Sequence, residues 1–329
     1  PDSTLGCLFM KPNLFAGTNL ASTLRECAFC LWDVGARGGT DVFFSPFAFA
    51  IDVIGFEPEP MAFEEMSPSG LWRSEKFFEI ALGGPDTSSI LQVPRDPTGA
   101  SFLEHDTAIG ARYGLDDLFQ VERTVDIKTV TIDYAVANLG VPKPTLLKLD
   151  VEGIELDILK GSGEALKSIV AIKLEAGYIR HRIGQPLAGE LIAFLEGQGL
   201  YAVDIVEEAR WRKRPWAGDP CLVKRNPSYS RGRLVQADII FLREPETVTP
   251  DIAMVAALAA ICLGYFDHGL ELLEVSQEED AKVLIQAVYT ASKVYGRARA
   301  TQVLQDSIFR IFQLVRSLTS GLNVPKSSD

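Results

Sequence analysis

The stretch Leu146–Gly161, LLKLDVEGIELDILKG, constrains the fold of this chain more than any other. An aliphatic run carrying one lysine stops at the acidic turn Asp150-Val151-Glu152-Gly153, and helical spacing begins at once. A short apolar strand, a polar turn and a helix in direct succession form one unit of a parallel sheet covered by helices. Open sheets of this kind bind ligands beyond the carboxyl ends of their strands. The spacing therefore puts Asp150 and Glu152 at a binding edge.

The same alternation runs through most of the chain. Apolar segments predict strands near Phe29–Val34, Val53–Glu57, Phe77–Leu82, Leu146–Asp150 and Val170–Glu175, with a final pair near Tyr201–Val206 and Asp238–Leu242. Seven strands with no obvious helix between the last two predict an α/β, Rossmann-like sheet with helices on both faces. The connection Gly83–Val141 is long for such a fold, with β-like pieces at Ser88–Val93 and Thr124–Thr131 and a small helix at Ile132–Leu139. Long structured insertions of this sort carry function. After Pro245–Pro250 the periodicity becomes purely helical, over Ile252–Phe266, His268–Val275, Glu278–Val294 and Arg297–Ser317. The predicted organisation is an N-terminal arm and helix (1–27), a sheet domain (28–245) and a C-terminal helical appendage (251–322).

Composition narrows the partners. The 329 residues carry a net charge of −12, which argues against a chain-wide nucleic-acid footprint. The longest nearly uncharged run, Ile252–Phe266, falls short of the roughly 20 residues that span a bilayer, so a buried core helix is expected. No basic segment followed by an apolar one opens the sequence, so no secretory signal is expected and a soluble, cytoplasmic protein is. The cysteines Cys7, Cys27, Cys30, Cys221 and Cys262 are odd in number and scattered, and read as reduced thiols, the Cys27–Cys30 pair included.

Two upstream motifs point to an adenosine-containing ligand. Asp33-Val34-Gly35-Ala36-Arg37-Gly38-Gly39 follows the first strand, and Gly35 and Gly38 let backbone pass close to a ligand without a clashing Cβ. Asp33 is placed to meet an ammonium group. Glu57, followed by Pro58, ends the second strand where an acidic residue can hold both ribose hydroxyls. The string GARGG does not match G-x-G-x-x-G, which disfavours NAD.

Residues Thr131–Tyr178 resemble the FkbM family of S-adenosylmethionine-dependent methyltransferases. The resemblance rests on Ile132-Asp133, Leu147-Lys148-Leu149-Asp150, Val151-Glu152-Gly153-Ile154-Glu155, Ile158-Leu159-Lys160-Gly161 and Ile172-Lys173-Leu174-Glu175. With the Asp33 and Glu57 motifs it extends over roughly residues 28–243. It implies a class I methyltransferase sheet, S-adenosylmethionine as cofactor and methylation of a hydroxyl, often on a sugar or secondary metabolite. It also implies adenine contacts at Ala81 and Leu82, the end of the predicted third strand. Arg37 departs from the asparagine that many members carry.

Transfer to an alcohol needs alignment of the acceptor oxygen and removal of its proton. Asp150, Glu152 and Glu175 lie at adjacent strand ends and are candidates for a general base. They could also hold Mg²⁺ through oxygens, although the motif does not demand a metal. Glu152 and Glu155 have an alternative role as helix-start carboxylates, worth about 0.3–1 kcal/mol each. Lys148 shares a strand face with Asp150 and is placed to pair with it. His181, just past the fifth strand, has an ordinary pKa of about 6.5 and is a further candidate base. Between the last two strands, Arg210-Trp211-Arg212-Lys213-Arg214-Pro215-Trp216 is a basic, aromatic loop, extended by Lys224, Arg225, Arg231 and Arg233. Trp211, Arg212 and Arg214 are the candidate substrate contacts, for an anionic or glycosylated acceptor. Three readings compete: an O-methyltransferase acting on a small molecule or saccharide, a non-catalytic binding or assembly module, and an NAD-dependent oxidoreductase. The C-terminal helices are expected to pack on the sheet domain or to pair with another subunit.

Overall fold

The computed structural model describes residues 10–85, 90–213, 231–276 and 281–320. Its centre is a seven-stranded sheet built from β1 (Phe29–Val34), β2 (Ile51–Phe56), β3 (Ser74–Phe78), β4 (Leu146–Leu149), β5 (Ala171–Gly177), β6 (Leu200–Trp211) and β7 (Arg233–Arg243). The spatial order is β6-β7-β5-β4-β1-β2-β3. Strand β7 runs antiparallel to both β5 and β6, and β1 to β5 pair in parallel. The chain moves outward from β1 to β3 and then crosses to β4 on the other side of β1. That reversal opens a crevice over the carboxyl ends of β1 and β4, where such sheets take their ligands.

The central strands are buried on both faces, and their sequences show it: every residue of β1 and β4 is buried. Successive side chains point to opposite faces, which gives two cores. Phe29, Leu31, Ile51, Val53 and Leu146 face one, together with α4 (Pro250–Leu263). Trp32, Val34, Ile54, Phe56, Leu147 and Leu149 face the other, under α1 (Ile132–Asn138), α2 (Glu155–Lys160) and α3 (Ala188–Glu196). Helix α4 is apolar all round and buried from Ala256 to Cys262, so it is part of the sheet's own core. Helix α5 (Phe266–Ser276) packs on it. Among the described residues no helix is long and apolar enough to cross a membrane.

Two predicted boundaries shift. The predicted third strand, Phe77–Leu82, is two elements: β3 ends at Phe78, and Ala81–Leu82 pairs instead with Thr129–Val130. The last two predicted helices are one, α6 (Ala281–Ser320), which runs through Gly296 without a break. A glycine in a helix interior costs only about 1 kcal/mol, and nothing else there stops the helix. The insertion after β3 carries the antiparallel pair Ile90–Pro94 and Val121–Asp126.

Candidate active site

The end of β1 and the end of β4 meet back to back. Gly35 has φ +80°, and a Cβ there would lie 1.9 Å from the Asp150 carbonyl oxygen, so only glycine fits. The amides of Gly35 and Ala36 donate to the Phe56 carbonyl, tying the glycine turn to the end of β2. A cavity of about 590 Å³ opens above these loops, within the range of small-molecule sites. Gly35, Arg37, Gly38, Glu57, Pro58, Ala81, Leu82 and Asp150 line it, as do Glu152 and Glu175. The insertion adds an apolar wall, Leu91, Pro97, Ala100 and Phe102.

Beneath the cavity lies a row of buried charges. Lys148 on β4 donates to the Gly35 carbonyl at 2.7 Å and sits 3.2 Å from Asp33 Oδ1 and 3.5 Å from Asp150 Oδ2. Burial alone would depress its pKa, but the Asp33 and Asp150 charges outweigh it and the ammonium stays charged. Asp33 is wholly buried, and its Oδ2 accepts from the Asp41 amide at 2.7 Å. It therefore does not face the cavity as the sequence led us to expect; it is the counter-ion of Lys148. Burial raises its pKa, against the pull of Lys148. The carboxylate that does reach the wall from this loop is that of Asp41. Its carboxylate lies 2.6 Å from Lys173, the β5 residue paired in register with Lys148. Lys173 also meets Glu207 at 2.9 Å and Asp238 at 3.0 Å.

Glu57 is nearly buried at the end of β2, and one of its oxygens accepts from the Glu59 amide at 2.9 Å. Burial raises its pKa, opposed by that amide and by Arg37, 3.9 Å away. Glu59 caps the short helix Pro60–Glu64 through the amides of Met61 and Ala62 and pairs with Arg123 at 2.9 Å.

The acidic turn is held by its own helix. Glu155 is buried and accepts from the amides of Val151 at 3.3 Å and Gly153 at 3.0 Å. Burial pushes its pKa up to about 7. Glu152 sits at φ +60°, a backbone conformation unusual for a non-glycine residue. Ser101 donates to its carbonyl at 2.7 Å, and Arg182 lies 2.5 Å from its carboxylate. Asp150, Glu152 and Glu175 bring oxygens within 4.8 Å of one another. Burial, then the neighbouring Asp150 charge, raises the pKa of both Glu152 and Glu175; Arg182 opposes this at Glu152. Each of the three carboxylates already has a donor: Lys148 for Asp150, Arg182 for Glu152 and Gln236 for Glu175. Two of these donors, Lys148 and Arg182, are cations that already offset part of the cluster's charge, and nothing in the geometry calls for Mg²⁺.

Four further predicted residues lie off the cavity wall. Ala36 points into the core and contributes only its amide. His181, expected in an open loop, is buried against Phe119 and Trp211 and touches Arg182; burial and that charge push its pKa down to about 3. It is not on the cavity wall. Trp211 packs tilted or edge-on against Tyr113, Phe119 and His181 rather than lining the cavity, and Arg212 is not on its wall either. Arg214, Trp216, Lys224 and Arg225 lie outside the described residues, as do Cys7 and Cys221. Cys30 and Cys262 are buried free thiols.

Sequence reasoning missed Asp41, Lys173, Ser101 and Arg182. Lys173 alone had a signal, a lysine two residues before Glu175 that repeats the Lys148–Asp150 spacing.

Hexuronic acid methyltransferase AglP of Haloferax volcanii is 29% identical over 149 residues, 45% of this chain and 56% of that protein. The chain thus matches about half the length of that relative. A crystal structure of methyltransferase FkbM from Methylobacillus flagellatus KT aligns at TM-score 0.32 and 14% identity, covering 70% of this chain and 48% of that one. The C-terminal domain of precorrin-6Y C5,15-methyltransferase from Rhodobacter capsulatus aligns at 0.29 and 15%, covering 68% and 85%. The methyltransferase FkbM domain matches residues 33–200, which reach from the glycine turn to the start of β6, and the chain belongs to that family.

Proposed function

We propose that the protein is an S-adenosylmethionine-dependent O-methyltransferase whose acceptor is a hydroxyl of a saccharide. The observation that carries this reading is the convergence of Gly35, Glu57 and Asp150 on one cavity at the switch point of the sheet. Glu57 is placed to accept from the ribose hydroxyls, and the backbone of Ala81 and Leu82 to border the adenine. The glycine turn passes the amino-acid half without a side chain in the way. Asp150, Glu152 and Glu175 surround the end where the sulfonium would lie, and Asp150, its side chain 44% exposed, offers a carboxylate there.

S-adenosylmethionine supplies an electrophilic methyl carbon. The protein's task is to hold the acceptor oxygen in line and to take its proton. Glu152 is our assignment for the base. It lines the cavity, and its raised pKa brings it toward the range in which a carboxylate can both accept and release a proton. The O–H proton passes to Glu152 as the oxygen–carbon bond forms and the carbon–sulfur bond breaks. A saccharide acceptor is supported by the name of the archaeal relative, a hexuronic acid methyltransferase.

The test is incubation with S-adenosylmethionine and separate methyl glycosides of hexuronic acids and neutral hexoses, read by mass spectrometry. Expected is S-adenosylhomocysteine formed together with a methylated sugar that resists release by mild base, as an ether does. A methyl ester at the carboxylate, or no methylated sugar, would overturn the assignment.

A further inference from the structure

Arg182 reaches the acidic turn from the segment that follows β5, and it is 4% exposed. Its guanidinium has three neighbours. One nitrogen, Nη2, lies 2.5 Å from Glu152 Oε2 and donates to the Gly99 carbonyl at 3.2 Å. The other, Nη1, contacts His181 Nε2. Gly99 belongs to the insertion that forms the apolar wall of the cavity, and the adjoining Ser101 holds the Glu152 carbonyl. Glu152 is thus gripped at both ends, its carbonyl by the insertion and its carboxylate by Arg182, while its backbone stays at φ +60°. A residue in that conformation is held there by its surroundings. Arg182 does not line the cavity and is too enclosed to meet an acceptor.

We propose that Arg182 is a positioning residue that acts through Glu152: it fixes the carboxylate at the acceptor side of the cavity and couples that placement to the seating of the insertion. This rests on the methyl-transfer reading above. A freely rotating Glu152 could turn away from the acceptor oxygen, and a displaced base loses rate steeply. The adenosine end, built on Glu57 and Ala81–Leu82, makes no contact with Arg182, so cosubstrate affinity should be spared.

The experiment compares wild type, Arg182→Met, Arg182→Lys, Glu152→Gln and the double variant E152Q/R182M. Titration with S-adenosylhomocysteine measures cosubstrate binding, and transfer to a methyl hexuronoside measures turnover. Arg182→Met is expected to lower kcat by about 100-fold with the S-adenosylhomocysteine affinity within about threefold, and Arg182→Lys to recover part of the loss. On the Glu152→Gln background, adding Arg182→Met should change kcat by less than about threefold, because the two residues act as one unit. Additive losses in the double variant, or a loss confined to cosubstrate affinity, would overturn the proposal.

Should wild type fail to methylate the saccharide, the transfer reading falls on its own. The positioning role is then decided by crystals of wild type and Arg182→Lys grown with S-adenosylhomocysteine. A Glu152 carboxylate that moves in the variant while Asp150 stays in place supports it; an unmoved Glu152 contradicts it. Arg182→Lys keeps the charge, so it serves for this comparison even if Arg182→Met does not fold.

Discussion

Gly35 and Asp150 touch through their backbones: a methyl group added at Gly35 would fall 1.9 Å from the Asp150 carbonyl oxygen. The glycine turn and the acidic turn therefore cannot move independently. Gly35→Ala must push them apart and also strain a φ of +80°. We expect a stability loss of about 2–3 kcal/mol, of the size seen for overpacked cores, and loss of S-adenosylhomocysteine binding. Urea denaturation and calorimetric titration check both. A Gly35→Ala protein of wild-type stability would mean that the two turns are not in contact.

Lys148 bridges the same two turns by charge. Replacing it with methionine leaves the wholly buried Asp33 without its counter-ion. Breaking a buried pair this way costs about 3–5 kcal/mol. The double change Lys148→Met with Asp33→Asn should recover much of that loss, since no buried charge is then stranded. Equal stability of the single and double variants would count against the pairing.

Glu57 is expected to carry cosubstrate affinity rather than turnover chemistry. Glu57→Gln keeps an oxygen for the Glu59 amide but removes the charged acceptor facing the cavity. Hydrogen bonds to charged groups contribute about 1.5–3 kcal/mol, so affinity for S-adenosylhomocysteine should fall by roughly 10–100-fold. An unchanged dissociation constant would remove Glu57 from the ribose position.

Glu155 gives a pH signature. Its pKa rises from 4.5 unfolded to about 7 folded because it is buried. Between those values the native state binds a proton that the unfolded state has released, so stability falls as pH rises from about 4.5 to 7. Below 4.5 both states are protonated, and above 7 both are ionised, so the contribution is flat outside the window. Glu155→Gln can still accept from the Val151 and Gly153 amides but cannot ionise. Its stability should therefore drop less steeply than wild type's across that window, by urea midpoints at successive pH values. Parallel curves would show that Glu155 ionises normally.

The elements that make the crevice were legible in the sequence because their signals are local. A buried parallel strand is an uninterrupted apolar run, as in Phe29–Val34, and a glycine-rich or acidic turn directly after it marks a strand's carboxyl end. What the sequence hid depends on residues far apart along the chain. Asp33 is turned inward by Lys148, 115 positions later. His181 is covered by Phe119 from the insertion and Trp211 from β6. Arg182 reads as one more surface arginine until the fold sets it against Glu152. The end of β3 was misplaced because Ala81–Leu82 has the apolar character of a strand but pairs with Thr129–Val130, outside the main sheet.

The most direct test is a crystal structure of the complex with S-adenosylhomocysteine. The account predicts a nucleoside in the crevice, its ribose hydroxyls within hydrogen-bond distance of Glu57, its adenine beside Ala81 and Leu82, and its sulfur turned toward Asp150. A nucleoside bound elsewhere, or a sulfur directed away from Asp150, Glu152 and Glu175, would contradict it.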